Sequence, residues 1–347
     1  MPRKISLILF ILPLVLLATI LLSLIFGRYA MCLTDITTTF KEVFLSLINH
    51  IPLNNSNNEI VLFKVRLPRI FMALLCGGAL ALAGHIYQKV FKNPLVSPDI
   101  LGASSGAGFG AAIGVLLQLN LIGTQITAFF FGLLATGLVL FIGQVLYKGR
   151  ATVYVFILLG LTVNAVMNAG ISLSKYIADP YDDLTAITFM LMGSLSKADW
   201  YQVLTLLLIL IASALFLRKD VFRIQLLSLS DDEAETLGVN VSHLRTRLIV
   251  IATLLTSATV ATCGIIGWVG LIVPHMVRKL MRGHWQHQFI ITWFGGALFL
   301  LLIDDLARNI MSTEVPLSIL TAVLGAPIFL GILFGDVRLS KIVSSEL

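Results

Sequence analysis

Hydrophobic and polar positions in this chain come in blocks and do not alternate residue by residue. Apolar blocks fall at 5–26, 70–92, 101–118, 122–147, 152–176, 200–217, 245–267, 271–282, 288–310 and 318–336. Runs of about 20 apolar residues without a period of two predict membrane-spanning helices, not barrel strands. The block at 271–282 is too short to cross about 30 Å of hydrocarbon as a regular helix, so it is predicted to be a partial span packed inside the protein. Ten segments place both chain ends on one side of the membrane.

The polar blocks between them are equally informative. The longest that lies between two apolar blocks in the second half of the chain covers 218–247. Within it Ser230-Asp-Asp-Glu233 reads as a capping box opening a short helix, Leu237-Gly238-Val239 closes that helix, and Asn240 caps a second one through His243 and Arg245. Two short helices joined by a glycine at the ends of spans suit a surface gripped from outside the membrane; an ordinary loop is the alternative. The segment 27–64 is a polar stretch whose Asn54-Asn-Ser-Asn-Asn58 run predicts no regular structure. Near 178–199, Asp182 and Asp183 precede an apolar turn that ends at Gly193, which predicts a short surface helix with acidic residues at its positive end.

Composition agrees with the pattern. The 347 residues are 58% hydrophobic and only 12% charged, with a mean hydropathy of +0.96, whereas soluble domains carry roughly 25% charged residues. The net charge of +6 comes from Lys and Arg flanking the spans, so it does not call for nucleic acid. With the N-terminus inside, the inner side holds about twice as many Lys and Arg as the outer side, which puts both termini and the 218–247 block in the cytoplasm. The basic start, Arg3 and Lys4, followed by an apolar run resembles a signal peptide, but the run is too long and no small-residue cleavage site follows; a retained first span is expected.

Against this bias, Arg66-Leu-Pro-Arg69 sits at the outer mouth of the second span. It reads either as an interfacial anchor to lipid or as a positive rim for an acidic partner. Arg308 pairs with Asp305 along one helical face or faces outward with the other two arginines. Gly77, Gly78, Ala79, Ala81, Ala83 and Gly84 thin one side of the second span for close helix packing. Leu101-Gly-Ala-Ser-Ser-Gly-Ala-Gly108 opens the third span with almost no bulk. Ser104, Ser105, Gly106 and Gly108 therefore serve packing or line a wide path. Gly84 and Gly264, each ending a small-residue helix ten residues before a proline, hint at an inverted repeat.

Enzymatic and metal chemistry find little support. The glycines at 106, 108 and 110 follow no strand, and Gly102–Gly106 lacks the Lys-Ser/Thr of a phosphate loop, so the chain is not expected to hydrolyse ATP. Cys32, Cys76 and Cys263 have neither disulfide nor metal spacing. His275 is expected to be structural, and no metal site is expected.

Several motifs together resemble one family. Arg66-Leu-Pro-Arg69, the run Gly77–Gly84 with Gln88 and Asn93-Pro-Leu95, Leu101-Gly102, the segment Leu227–Val239, Gly267-Trp-Val-Gly-Leu-Ile-Val-Pro-His275 with Arg278, and Glu314-Val-Pro316 through Gly325-Ala-Pro327 are similar to the FecCD-type permeases of binding-protein-dependent ABC importers. The likeness spans about residues 60 to 336. Two departures are the 283–288 loop, where relatives often carry Asp-His-Arg, and Met190, where a Trp is common.

The resemblance implies an all-α type II ABC importer permease of about ten transmembrane helices, a single domain over 1–347, in the bacterial cytoplasmic (inner) membrane. It implies a homodimer with the path at its interface and two cytoplasmic ATPase subunits, which carry the ATP and magnesium. An outer substrate-binding protein is implied as well, with membrane lipid around the whole. The ATPases would grip Ser230, Asp231, Glu233, Glu235, Leu237 and Gly238; Arg66, Arg69 and Arg308 would meet acidic residues of the binding protein; Ser104, Ser105, Gly106 and Gly108 would lie by the path. No cofactor is expected in the chain itself. The cargo implied is a metal chelate (iron-siderophore, haem or cobalamin), moved by alternating access. The alternatives are an oxyanion such as molybdate in the same importer type, or an ion-coupled secondary transporter, which normally needs carboxylates inside its spans.

Overall fold

A computed structural model describes residues 3–49, 56–147, 152–281 and 287–345. Residues 54 and 55 of the asparagine run and 283–286 of the divergent loop lie outside the described residues. The elements are all helical, and no strand occurs among the described residues.

Helix α1 (Arg3–Ile25) is followed by α2 (Leu33–Ile48). A single turn α3 (Asn57–Glu59) runs through a π-helical stretch, Ile60–Arg66, into α4 (Leu67–Val90) as one continuous rod, Asn57–Val90. Then come α5 (Ala103–Leu116), α6 (Leu121–Tyr147), α7 (Val153–Ile177), the short α8 (Asp183–Met192) and α9 (Trp200–Leu226). The six-residue α10 (Asp231–Thr236) leads to α11 (Val241–Cys263), α12 (Val269–Leu280), α13 (Gln288–Asn309) and α14 (Leu317–Ser345).

Seven helices among the described residues are long and apolar enough to cross a membrane, so the expected count of ten does not follow from helix length. The difference lies in three places. The third expected span is α5, with only 14 residues or about 21 Å, because Gly102 in the left-handed region (φ +79°) starts it and Gln118 (φ +50°) follows its end. The expected partial span is the 12-residue α12, which Trp268 opens from a left-handed conformation (φ +71°). The apolar part of α14 is Leu317–Ile332.

The segment 27–64 holds more structure than its polarity suggested. Asp35 accepts the Cys32 backbone N–H at 2.8 Å and starts α2, which buries Ile36 and Thr39 while leaving Leu33, Phe40, Phe44 and Ile48 exposed. The α4 rod likewise begins at Asn57, well before its apolar block at 70.

α4 is the central element, 94% buried over its apolar window, and packs on α13, α11, α12 and α9. Its small residues permit this. A Cβ on Gly77 would stand 2.2 Å from the Gly296 carbonyl oxygen of α13, and one on Gly84 would stand 1.7 Å from the Gly270 oxygen of α12. Backbones that approach this closely gain dispersion where lipid supplies no hydrophobic drive. The correspondence between Gly84 and Gly264 does not hold: Gly264 ends α11, but α4 runs on through Gly84 to Val90.

The seam yields a direct expectation. Gly84→Val places side-chain carbons against backbone that cannot swing aside, and overpacking costs about 1–3 kcal/mol even where neighbours yield. Thermal melting of the detergent-purified protein should show a lowered midpoint and poor yield for Gly84→Val, and no change for Gly267→Ala, whose added Cβ meets nothing within 4 Å.

Candidate functional site

One end of the rods carries α10. Ser230 Oγ accepts the Glu233 N–H at 3.3 Å while Glu233 accepts the Ser230 N–H at 2.9 Å, the capping box expected from sequence. Gly238 (φ +81°) closes the helix: its N–H donates to the Glu235 oxygen at 2.9 Å and the next N–H, of Val239, to the Ala234 oxygen at 3.2 Å. Asn240 then accepts the His243 N–H at 2.9 Å. Asp231 is engaged within the chain, 3.0 Å from both Lys92 and Arg245. Burial works to raise its pKa, but the hydrogen bonds and charges of those two cations outweigh burial and hold the carboxyl below its ordinary value. Glu233, Glu235 and Leu237 point outward, with Leu237 60% exposed.

The 218–247 block is tighter than two short helices. α9 continues to Leu226, and the expected second short helix is the first turn of α11. The reason is Asp220: fully buried, it takes Arg247 at 2.8 Å and Arg223 at 3.2 Å, which binds the end of α9 to the start of α11. Only Leu227–Asn240 is left between long helices.

The opposite end holds the three arginines expected at an outer rim, and in the folded chain all of them are engaged internally. All three are at most 6% exposed. Arg69 donates Nε and Nη2 to Asp304, which has no exposed surface, at 2.9 to 3.1 Å, and Nη1 to Glu314 at 2.7 Å. Arg308 Nε stands 3.3 Å from the same Asp304, and its Nη2 donates to Asp305 and, at 2.7 Å, to Ser23. Arg66 donates to the carbonyls of Leu24, Ile25 and Tyr29, so it caps the end of α1. Two cations, Arg69 and Arg308, and three carboxylates thus form a closed lattice that joins α4, α13 and the segment before α14 and reaches α1 through Ser23, with Arg66 beside it on the α1 carbonyls. The pairing of Asp305 with Arg308 is as the three-residue spacing predicted.

The expected path residues are also interior. Ser104 donates to Asp99 and Ser105 to the Gly102 oxygen at 3.2 Å. A Cβ on Gly106 would stand 2.6 Å from Ala135 and Phe131 of α6, and one on Gly108 would touch Leu191 of α8. Within the chain these four serve helix packing and line no open surface.

The open polar surface is on α7. Thr162, Ala165, Asn168, Ala169 and Ser172 are exposed on a helix of membrane-spanning length. Thr162 donates to the Leu158 oxygen and Ser172 to the Asn168 oxygen, each at 3.0 Å, and Asn168 donates to Asn164 at 2.9 Å. The signal was legible: Asn164, Asn168 and Ser172 recur at intervals of four inside an apolar span, where polar side chains need partners.

Removing one member of the charge lattice tests its closure. Asp304→Asn takes away the fully buried carboxylate that Arg69 and Arg308 share and leaves each with one less buried acid, and breaking such a buried pair costs about 3–5 kcal/mol; Glu314→Gln, at a 32% exposed carboxylate, should cost at most about 1 kcal/mol. Thermal melts of the purified variants should show a large loss for the first and a small one for the second. Equal behaviour would contradict the lattice.

Residues 13–335 match the model of the FecCD transport family. The molybdate import permease MolB of Haemophilus influenzae is 36% identical over 322 residues, 93% of this chain and 94% of that protein. The hemin transport permease HmuU of Yersinia pestis is 33% identical (80% and 85% covered), and the Fe(3+) dicitrate permease FecD of Escherichia coli 37% (79% and 85%). A structure of an inward-facing metal-chelate type ABC transporter superposes with a TM-score of 0.84 at 35% identity, covering 95% of this chain and 99% of the other. These relatives are permease subunits and not enzymes, and an importer of this type works with ATPase and substrate-binding partners. The chain therefore belongs to the FecCD transport family, as a multi-pass membrane permease of an ABC importer.

Proposed function

We propose that the chain is one half of a homodimer that imports a metal chelate across the bacterial cytoplasmic membrane, with α10 on the cytoplasmic side and α8 on the outer side. The observation that carries this reading is the α7 stripe. Thr162, Asn168 and Ser172 face outward on a helix that would otherwise lie in lipid. These groups donate within α7, but their remaining polar surface stays exposed, and a second α7 across a water-filled path keeps it out of hydrocarbon. The small Ala165 and Ala169 leave that path wide. The iron-chelate, haem and dicitrate cargoes of similar permeases support the chelate. An oxyanion is the second reading, favoured by the molybdate relative.

In this reading ATP binding draws two ATPase subunits together, each gripping the exposed Glu233, Glu235 and Leu237 of one α10, and the dimer changes the side to which it opens. Docking of a binding protein by Arg66, Arg69 and Arg308 would require the lattice partners to be exchanged, so the outer contacts are assigned to exposed groups around it.

Two measurements test the proposal. Asn168→Cys in a Cys32→Ser background should form a cross-linked dimer with a short bismaleimide in membranes. Phe141→Cys, on a 64% exposed position of α6, should not; the reverse pattern would place the interface elsewhere.

Gly238→Val forces a β-branched residue into the left-handed region, at a cost of roughly 1–2 kcal/mol confined to the α10 turn, since nothing lies within 4 Å of the added Cβ. Membrane insertion should be normal while ATPase stimulation and import fall several-fold. Normal import would remove α10 from the coupling role.

A further inference from the structure

At the α8 end a cavity of about 790 Å³ opens between the α5–α6 turn, the end of α8, the end of α11 and the segment at 314–316. Two cations line it. Arg28 is exposed, and its hydrogen bond goes to the Met311 carbonyl oxygen at 3.4 Å; Lys197 is exposed as well. Among the described residues neither stands in an ion pair. The carboxylate in the lining is Glu314, and it is already neutralised by Arg69 at 2.7 Å. The other polar groups, among them Ser194, Ser196 and Gln125, are neutral, and the buried Gln125 Nε2 has no hydrogen-bond partner. The cavity therefore carries two uncompensated positive charges and spare donors.

We propose that this cavity is an anion-selecting vestibule that receives the acidic groups of a bulky metal chelate, with Arg28 and Lys197 as its recognition cations. Size selects within the anions. The volume lies in the range of small-molecule pockets, about 300–1,000 Å³. A lone tetrahedral oxyanion, comparable to a few waters of about 30 Å³ each, would leave most of the space unfilled. The assignment rests on the proposed import function only for the nature of the cargo; the field of the two cations stands apart from it.

The test uses Ser194→Cys in a Cys32→Ser, Cys263→Ala background, as the full chain in nanodiscs, labelled with size-matched anionic and cationic methanethiosulfonates. The anionic reagent should react about 3- to 10-fold faster at low salt, and the advantage should vanish at high salt. It should be lost in the Arg28→Gln, Lys197→Gln pair and retained in the Arg28→Lys, Lys197→Arg pair. Ferric citrate should slow labelling where molybdate and cyanocobalamin do not. Equal rates for the two reagents, or a preference unchanged by the glutamine pair, would overturn the vestibule. Protection by molybdate but not by ferric citrate would overturn its assignment to a chelate. A surviving charge preference in a chain that shows no cross-linked dimer and no ATPase coupling would keep this inference and sink the import reading instead.

Discussion

The carboxylate of Asp304 has no exposed surface, and in a membrane protein nothing except protein can solvate it. Two guanidiniums do so, one from α4 and one from its own helix. Each of those cations then needs further acceptors, which come from Glu314, Asp305, Ser23 and, for the neighbouring Arg66, the last carbonyls of α1. The demand for satisfaction spreads outward until α1, α4, α13 and the start of α14 are fixed together. This is why α1 is part of the structure although only 22% of its apolar window is buried. Apolar packing alone would hold it weakly.

The same rule explains the short helices. A 12- or 14-residue helix cannot carry its unpaired end groups across hydrocarbon, so its ends must finish against other protein. α5 lies on α6 and α7, and α12 lies on α4 and α13. The turn before α12 is tied as well. The Cys263 carbonyl accepts the Ser194 N–H at 2.9 Å, and the Gly193 carbonyl accepts that of Leu317 at 3.1 Å, so the ends of α8 and α11 and the start of α14 are stitched by backbone alone. Gly193 and Gly264, both with positive φ and in mutual contact, make that approach sterically open.

Much of this was legible in the sequence. The capping box at Ser230, the glycine that ends α10, the cap at Asn240 and the surface helix ending at Gly193 depend on local chemistry and fell where the residues said. What depends on tertiary partners did not. Arg66 and Arg69 look like a rim because hydropathy registers their charge and not the α1 carbonyls that receive the first or the acids at 304 and 314 that reach the second across the fold. Ser104 and Gly106 look like a lining because a small residue is equally suited to open space and to a close neighbour. The extension of α9 was hidden because Asp220 reads as a solvated charge until Arg247 folds onto it. α2 was missed for another reason: its apolar positions at 33, 36, 40, 44 and 48 keep a helical period, but polar residues between them lower the average that defines a span.

The two ends of the molecule are joined by stiff elements. α4 has Arg69 in the charge lattice near its start, and Lys92, just past its end, in contact with Asp231 of α10. α11 runs from Arg245, on the same Asp231, to Cys263 at the cavity. In the last turn of α4 the Tyr87 hydroxyl bonds that of Thr253, in the middle of α11, at 3.0 Å and ties the two rods to each other. A displacement of α10 is therefore delivered to both rods at one carboxylate, with no long flexible segment to absorb it. α7 is the contrast. With only 28% of its apolar window buried, it is held to the body mainly by α5, α6 and the 98–101 turn and not by the two rods, so it is one of the lightly buried long helices. The chain therefore combines a rigid body of cross-tied rods that carries force with a lightly buried face on α7.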